Sequence, residues 1–237
     1  ITAKKLAQRV REEEEHIERA NEKEARERIA GRIAADLEDG ALVNLGIGIP
    51  QLIPNFMPEG VNIFLQTENG TIYAGPAKDP NDLRIIDAGG APISVLPGGS
   101  FVSSDISFGI LRGGHIDATV LGALQADEEG SLANWTIPNV RTPGMGGAMD
   151  IVAGAKRVYV ATRHFEKNGT SKLMKKCTLP LTGHGVVDVI VTEYCLVRNI
   201  KGRMVLEEIA EGVDPAELQR RTEMRMEISP YLKTMTC

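Results

Sequence analysis

The chain has 237 residues, of which 42% are hydrophobic, 25% charged and 4% aromatic, a soluble composition sized for one large domain or two small ones. With 27 basic against 32 acidic side chains the formal net charge is −5, so there is no sequence-wide positive field and no nucleic-acid partner is expected. Three scattered cysteines with no CxxC pair argue against a disulfide framework or a zinc site. No run approaches the roughly 18 apolar residues of a membrane span, and the charged N-terminus lacks a secretory core, so a cytoplasmic protein is expected.

Residues 4–28 are dense in mixed charge, with Glu12, Glu13, Glu14 and Glu15 followed by interleaved Glu, Lys and Arg. Glu22 with Arg26 and Glu24 with Arg28 stand four apart, which supports a solvated helical extension over residues 1–28. Ile29, Ile33 and Leu37 then form an i, i+4, i+8 stripe, a core-facing helix stopped at Asp39-Gly40, and residues 29–237 follow as one domain.

Residues 41–45 read as a short buried strand, followed by Gly46-Ile47-Gly48-Ile49-Pro50, where the glycines permit a tight turn and Pro50 starts a new helix. A second strand, 61–66, runs directly into Thr67-Glu68-Asn69-Gly70. Ser103-Ser104-Asp105 offers capping oxygens to a helix ending at Gly113-Gly114. Apolar runs at 116–123, 158–162 and 186–192 read as strands, the last buried on both faces with Asp188 its only internal polar residue. Residues 199–203 suit a hairpin. Asp214-Pro215-Ala216-Glu217 reads as a helix start and predicts a helix as the final element. Strands alternating with helices indicate an α/β fold with an open, largely parallel sheet flanked by helices.

In such a sheet ligands bind beyond the carboxyl ends of the strands, which places Asn44, Gly46, Gly48 and Glu68 at one crevice. Gly46-x-Gly48 with an acid some twenty residues on resembles a dinucleotide fingerprint, but Gln51 stands where its third glycine should be. Gly70 permits a sharp backbone that presents Glu68 beyond its strand, as a positioned carboxylate or as an ordinary solvated turn residue. Gly144-Met145-Gly146-Gly147-Ala148-Met149-Asp150 sets bare backbone before a helix, where N–H groups can hold an oxyanion or the loop can simply be flexible. His115, His164 and His184 do not cluster, Cys177 and Cys195 suit small core positions, and Cys237 has no argued role. Serine-hydrolase, zinc-protease and Walker A motifs are lacking.

The segments Asn44-Leu45-Gly46-Ile47-Gly48-Ile49-Pro50, Leu65-Gln66-Thr67-Glu68-Asn69-Gly70 and Gly144-Met145-Gly146-Gly147-Ala148-Met149-Asp150 resemble the beta subunit of family I coenzyme A transferases of the acetoacetate and short-chain-acid type. Arg112-Gly113-Gly114-His115-Ile116-Asp117, Leu132-Ala133-Asn134-Trp135 and Lys176-Cys177-Thr178-Leu179-Pro180-Leu181-Thr182 match as well, in order, between about residues 29 and 211. The resemblance implies a fold related to sugar-phosphate isomerases and a separate alpha subunit, in a heterodimer or heterotetramer. It implies coenzyme A, as acyl-CoA, for a substrate rather than a permanently bound cofactor, with no metal, and acetoacetate, acetate or butyrate as the exchanged acids. It makes Glu68 the nucleophile of a ping-pong reaction through a glutamyl-CoA thioester, Gly147 an oxyanion donor shaped by Gly146, and Asn44 a polar neighbour of the reacting carbonyl. Thr67, Thr71, Asp87 and Gly90 depart from the usual family residues: Thr67 keeps the hydroxyl of the usual Ser, so Glu68 is expected to remain competent, and Thr71, Asp87 and Gly90 bear on acid choice. A non-catalytic module sensing acyl-CoA or a sugar phosphate, or an acyl-CoA hydrolase, are the competing readings.

Overall fold

The computed structural model describes residues 3–140, 142 and 144–236, with side chains within that range for Glu18 and from Ala20 onward. The side chains of Glu12 to Glu15, and Cys237, lie outside the described residues. Helix α1 (Ala3–Ala34) carries the charged segment and the Ile29–Ile33 stripe in one unbroken run. The chain then alternates between β1 (Leu42–Leu45), a 3-10 helix (Pro50–Phe56), β2 (Phe64–Gln66), β3 (Thr71–Pro76), β4 (Ile93–Phe101), α2 (Ser104–Arg112) and β5 (Ala118–Leu121). There follow β6 (Gln125–Asp127), β7 (Leu132–Ala133), α3 (Ala148–Gly154), β8 (Val158–Ala161), β9 (Leu173–Met174) and β10 (Val189–Val191). Last come β11 (Cys195–Ile200), β12 (Arg203–Ile209), α4 (Pro215–Arg221) and β13 (Glu227–Thr234).

Ten strands form one sheet in the order β13-β12-β11-β10-β8-β5-β1-β2-β3-β4. Its centre, β10-β8-β5-β1-β2, is parallel throughout. Antiparallel pairs extend it on both sides, through β3 and β4 and through β11 and β12. The strands β7-β6-β9 make a separate small sheet. Strand alternation sends Val43, Val120, Tyr159, Val189 and Val191 to the face covered by Ile29, Ile33 and Leu37. The neighbouring residues Leu121, Val158, Val160 and Ile190 face the other way and pack with Leu218 of α4, while α2 and α3 close that face through Leu111 and Ile151.

Helix α1 is fastened as well as packed. Arg32, 8% exposed, donates from Nε and from a terminal nitrogen to the two carboxylate oxygens of Glu208 at 2.6 and 2.8 Å. Asp36 accepts from the Tyr159 hydroxyl at 2.7 Å, and its carboxyl is held below the usual range by that bond and by Arg198 and Arg32 against the opposing effect of burial. Of the expected pairs along the helix, Glu24–Arg28 forms at 3.0 Å, whereas Glu22 reaches Arg163 just after β8.

The hairpin at 199–203 forms with Lys201 and Gly202 both at positive φ, and Asp214 caps α4 by accepting from the Ala216 N–H at 2.7 Å. Ser103 stands at the N-cap of α2 without bonding a helical N–H; its hydroxyl instead bonds Asp105. The expected terminal helix is corrected: α4 forms, but the last element is β13, parallel to β12 and broken in register between Ile228 and Lys233. Pro230 within it argues for a loop only in a strand paired on both sides. At a sheet edge the missing N–H costs no ladder bond.

Candidate active site

Strands β1 and β2 run parallel with Asn44 opposite Gln66, so the segments that follow both strands leave from the same end of the sheet. After β2 the chain reverses within Thr67-Glu68-Asn69-Gly70: the Thr67 N–H donates to the Thr71 carbonyl at 2.9 Å and the Gly70 N–H to the Thr67 carbonyl at 2.9 Å. Gly70 has φ +112°, and a Cβ there would lie 2.2 Å from the Val102 carbonyl oxygen, so this corner needs glycine on two counts. Thr67 uses its hydroxyl to accept from the Thr71 N–H at 3.1 Å. Asn69 donates to the Ile86 carbonyl at 2.8 Å. The turn leaves Glu68 half-buried at the strand end.

Asn44, 1% exposed, donates from Nδ2 to Gln66 Oε1 at 3.0 Å, to the Gln66 carbonyl at 3.2 Å and to Glu68 Oε2 at 3.4 Å. Gly147 approaches from the α3 side. A Cβ at Gly147 would sit 3.5 Å from Glu68 Cγ and 3.1 Å from the Phe108 ring, so the main chain here lies directly against the carboxylate side chain. Gly146 adopts φ +53° with open space around it and turns the loop into α3.

The segment after β1 borders the same region. Gly48, at φ +97°, donates its N–H to Gln51 Oε1 at 3.0 Å, and Gln51 Nε2 donates to Asp87 Oδ2 at 3.3 Å. Asp87 Oδ1 accepts from the Gly89 and Ala91 N–H groups at 2.9 and 2.8 Å, and a Cβ at Gly89 would press on Ile47. Gln51, which broke the dinucleotide fingerprint, therefore bolts this loop to the 87–91 turn.

The remaining candidate groups serve the framework. His164 is fully buried, with Nε2 2.8 Å from the Thr222 hydroxyl and Nδ1 3.1 Å from the Thr192 hydroxyl. Thr222 gives its own proton to the Leu218 carbonyl, which assigns the imidazole proton to Nε2. Burial, with Arg221 adding to it, pushes this histidine down to about 4. Burial likewise pushes the Cys177 and Cys195 thiols up to about 12, which denies both the thiolate a nucleophile requires. Among the described residues no group of three or more His, Cys, Asp or Glu is placed to hold a metal ion, and no helix is long and apolar enough to cross a membrane.

Asn44, Glu68 and Gly147 are thus brought together, with Gly146 shaping the last. Sequence reasoning passed over Gln66, Ser107 and Phe108, all in contact with this cluster or one side chain behind it. The available signal was strand periodicity, which puts Gln66 two residues before Glu68 on the same face.

The family model described as Coenzyme A transferase matches residues 26–219. The chain is 48% identical over 211 residues to the acetate CoA-transferase subunit beta of Escherichia coli K12, covering 89% of this chain and 97% of that one. It is 44% identical over 226 residues to the human mitochondrial succinyl-CoA:3-ketoacid coenzyme A transferase 2, covering 94% of this chain but 44% of that longer protein. Among solved structures, an acyl-CoA transferase apoenzyme from Escherichia coli O157:H7 superposes with a TM-score of 0.72 at 22% identity, over 90% of this chain and 43% of that one; at this identity the likeness speaks for the fold alone.

Proposed function

The chain belongs to the coenzyme A transferase family, and from that premise we propose that it is the nucleophile-bearing subunit of a two-chain enzyme moving CoA between an acyl-CoA and a short-chain acid. The observation that carries the reading is the Glu68 carboxylate, presented at the strand end between the Asn44 amide and the Gly147 main chain.

In this reading a Glu68 oxygen attacks the acyl-CoA carbonyl, the C–S bond breaks, and CoA leaves as thiolate from a mixed anhydride. The thiolate attacks the glutamyl carbonyl and expels the first acid as its carboxylate, leaving a Glu68-CoA thioester. An acceptor carboxylate attacks that thioester, CoA departs as thiolate again, and its attack on the acceptor's acyl carbonyl yields the new acyl-CoA and free Glu68. Each step is an acyl substitution between anions, so the thioester energy is conserved. Asn44 and the Gly147 N–H supply donors for the oxygen that becomes negative at each tetrahedral stage.

Acetate, acetoacetate and butyrate are the acids proposed, and the relatives named as subunits of such enzymes support an alpha-type partner. Residues 29–237 form the transferase domain in this proposal, with 1–28 an extension of its first helix. The free thiols of Cys177 and Cys195 favour a reducing cytoplasm.

The test is exchange of labelled acid into acyl-CoA by the complex with its partner subunit. Glu68→Gln abolishes exchange, and borohydride treatment after acyl-CoA changes the mass of the native chain at Glu68 alone. Exchange at the native rate in Glu68→Gln would remove the carboxylate from the mechanism. Turnover of acyl-CoA without any acceptor acid would favour hydrolysis over transfer.

A further inference from the structure

We propose that Gln66 is a positioning residue that acts through Asn44, holding that amide so that its N–H2 group, rather than its oxygen, meets Glu68; the inference rests on Glu68 as nucleophile. An amide side chain can be turned over with little change of shape, and only its neighbours decide which end faces the reacting group. At Gln66 the decision is made by an acceptor that cannot donate. Gln66 Nε2 lies 2.9 Å from the Thr67 carbonyl and 2.8 Å from the Ser107 hydroxyl, and Ser107 in turn donates to the Thr67 carbonyl at 3.3 Å. Both Nε2 hydrogens are spent there, so Gln66 Oε1 is left facing Asn44.

Asn44 must then answer with Nδ2, which also meets the Gln66 carbonyl and Glu68 Oε2. Two hydrogens serve three acceptors, and the contact to Glu68 is the longest, a donor held ready for charge that grows on that side. The arrangement has a cost: among the described residues no donor meets the buried Asn44 Oδ1, the uncompensated state that buried acceptors avoid. Ser107 and Gln66, at 0% and 2% exposure, are likewise polar groups spent inside the core. The chain from α2 through Ser107 and Gln66 to Asn44 fixes which end of one amide faces the nucleophile.

The experiment is a double-mutant cycle in the assembled two-subunit enzyme, with kcat and KM measured separately and folding followed by thermal melting. Gln66→Met, similar in volume but without acceptor or donor, lowers kcat by ~10–100-fold while KM for acyl-CoA stays within about threefold, the pattern of lost positioning. Added to Asn44→Ala it costs nothing further, the double variant matching Asn44→Ala within about twofold. Native kcat in Gln66→Met, or losses that multiply in the double variant, overturns the proposal. Should Gln66→Met fail to fold, Ser107→Ala decides in its place: it lowers kcat severalfold in the native background and not at all in Asn44→Ala. Glu68→Gln in the same assay separates the premises. If it abolishes exchange while Gln66→Met keeps native kcat, only the positioning role falls; if it exchanges at the native rate, the nucleophile assignment falls first.

Discussion

Gly70→Ala tests the corner that presents Glu68. A β-carbon at this position would lie 2.2 Å from the Val102 carbonyl oxygen and 3.3 Å from its carbon, and both belong to backbone that no side-chain rotation can clear. Val102 is also held in place, because its N–H donates to the Gly70 carbonyl at 2.9 Å. At φ +112° the backbone lies where an L residue is strained by ~1–2 kcal/mol, and forcing a methyl into packed surroundings adds ~1–3 kcal/mol. The expected loss is about 3 kcal/mol, or roughly 6–12 °C in Tm for a chain of this length. Gly40→Ala is the control, since Gly40 has φ +79° and open space around it, so it carries the strain without the clash. Urea and thermal unfolding of the two variants beside the native chain read the difference. Equal losses in both, or a loss in Gly70→Ala below about 1 kcal/mol, refute the claim that Val102 defines this turn.

Gly147→Ala separates site from fold: φ is −84° and the nearest neighbours of the new methyl are side-chain atoms, the Phe108 ring at 3.1 Å and Glu68 Cγ at 3.5 Å. Melting should move by under ~2 °C while kcat/KM in the assembled enzyme falls at least ~10-fold; an unchanged kcat/KM would place the Gly147 loop away from the reaction. His164 makes stability depend on pH. Its folded value of about 4 lies below the ordinary 6.5, so between these the unfolded chain takes up a proton that the folded one refuses, and stability falls as pH drops through that window. From pH 7 to 4.5 this residue accounts for roughly 2–3 kcal/mol of lost unfolding free energy, a slope that His164→Gln lacks. Parallel pH curves for the two proteins would contradict the assignment.

Much of the central architecture is legible in the chain itself. The apolar runs at 116–123, 158–162 and 186–192 contain β5, β8 and β10, the last read as buried on both faces, and the Ile29-Ile33 stripe announces the helix that covers them, although that helix ends at Ala34, before Leu37 and the expected stop at Asp39-Gly40. Edges are harder to read. β4 contains Pro97-Gly98-Gly99 and β13 contains Pro230, signals of a loop that hold in a sheet interior and lapse where only one side needs hydrogen bonds. The Glu68 turn and the two glycine loops could be found from residue types alone, whereas the family was found by the resemblance of several motifs occurring in order along most of the chain.

What sequence determined by itself is therefore local: which segments extend or coil, where glycine must bend the backbone, and which carboxylate stands at a strand end. These follow from steric limits on φ and from the periodicity of burial, both short-range. Tertiary structure alone decided that Gly147 lies against Glu68, that Gln51 ties Gly48 to Asp87, and that the Asn44 amide meets both Gln66 and Glu68. Such contacts depend on strand register and on where α2 and α3 settle over the sheet, and a hydrogen bond between distant residues is set by that packing rather than by either residue's own preference.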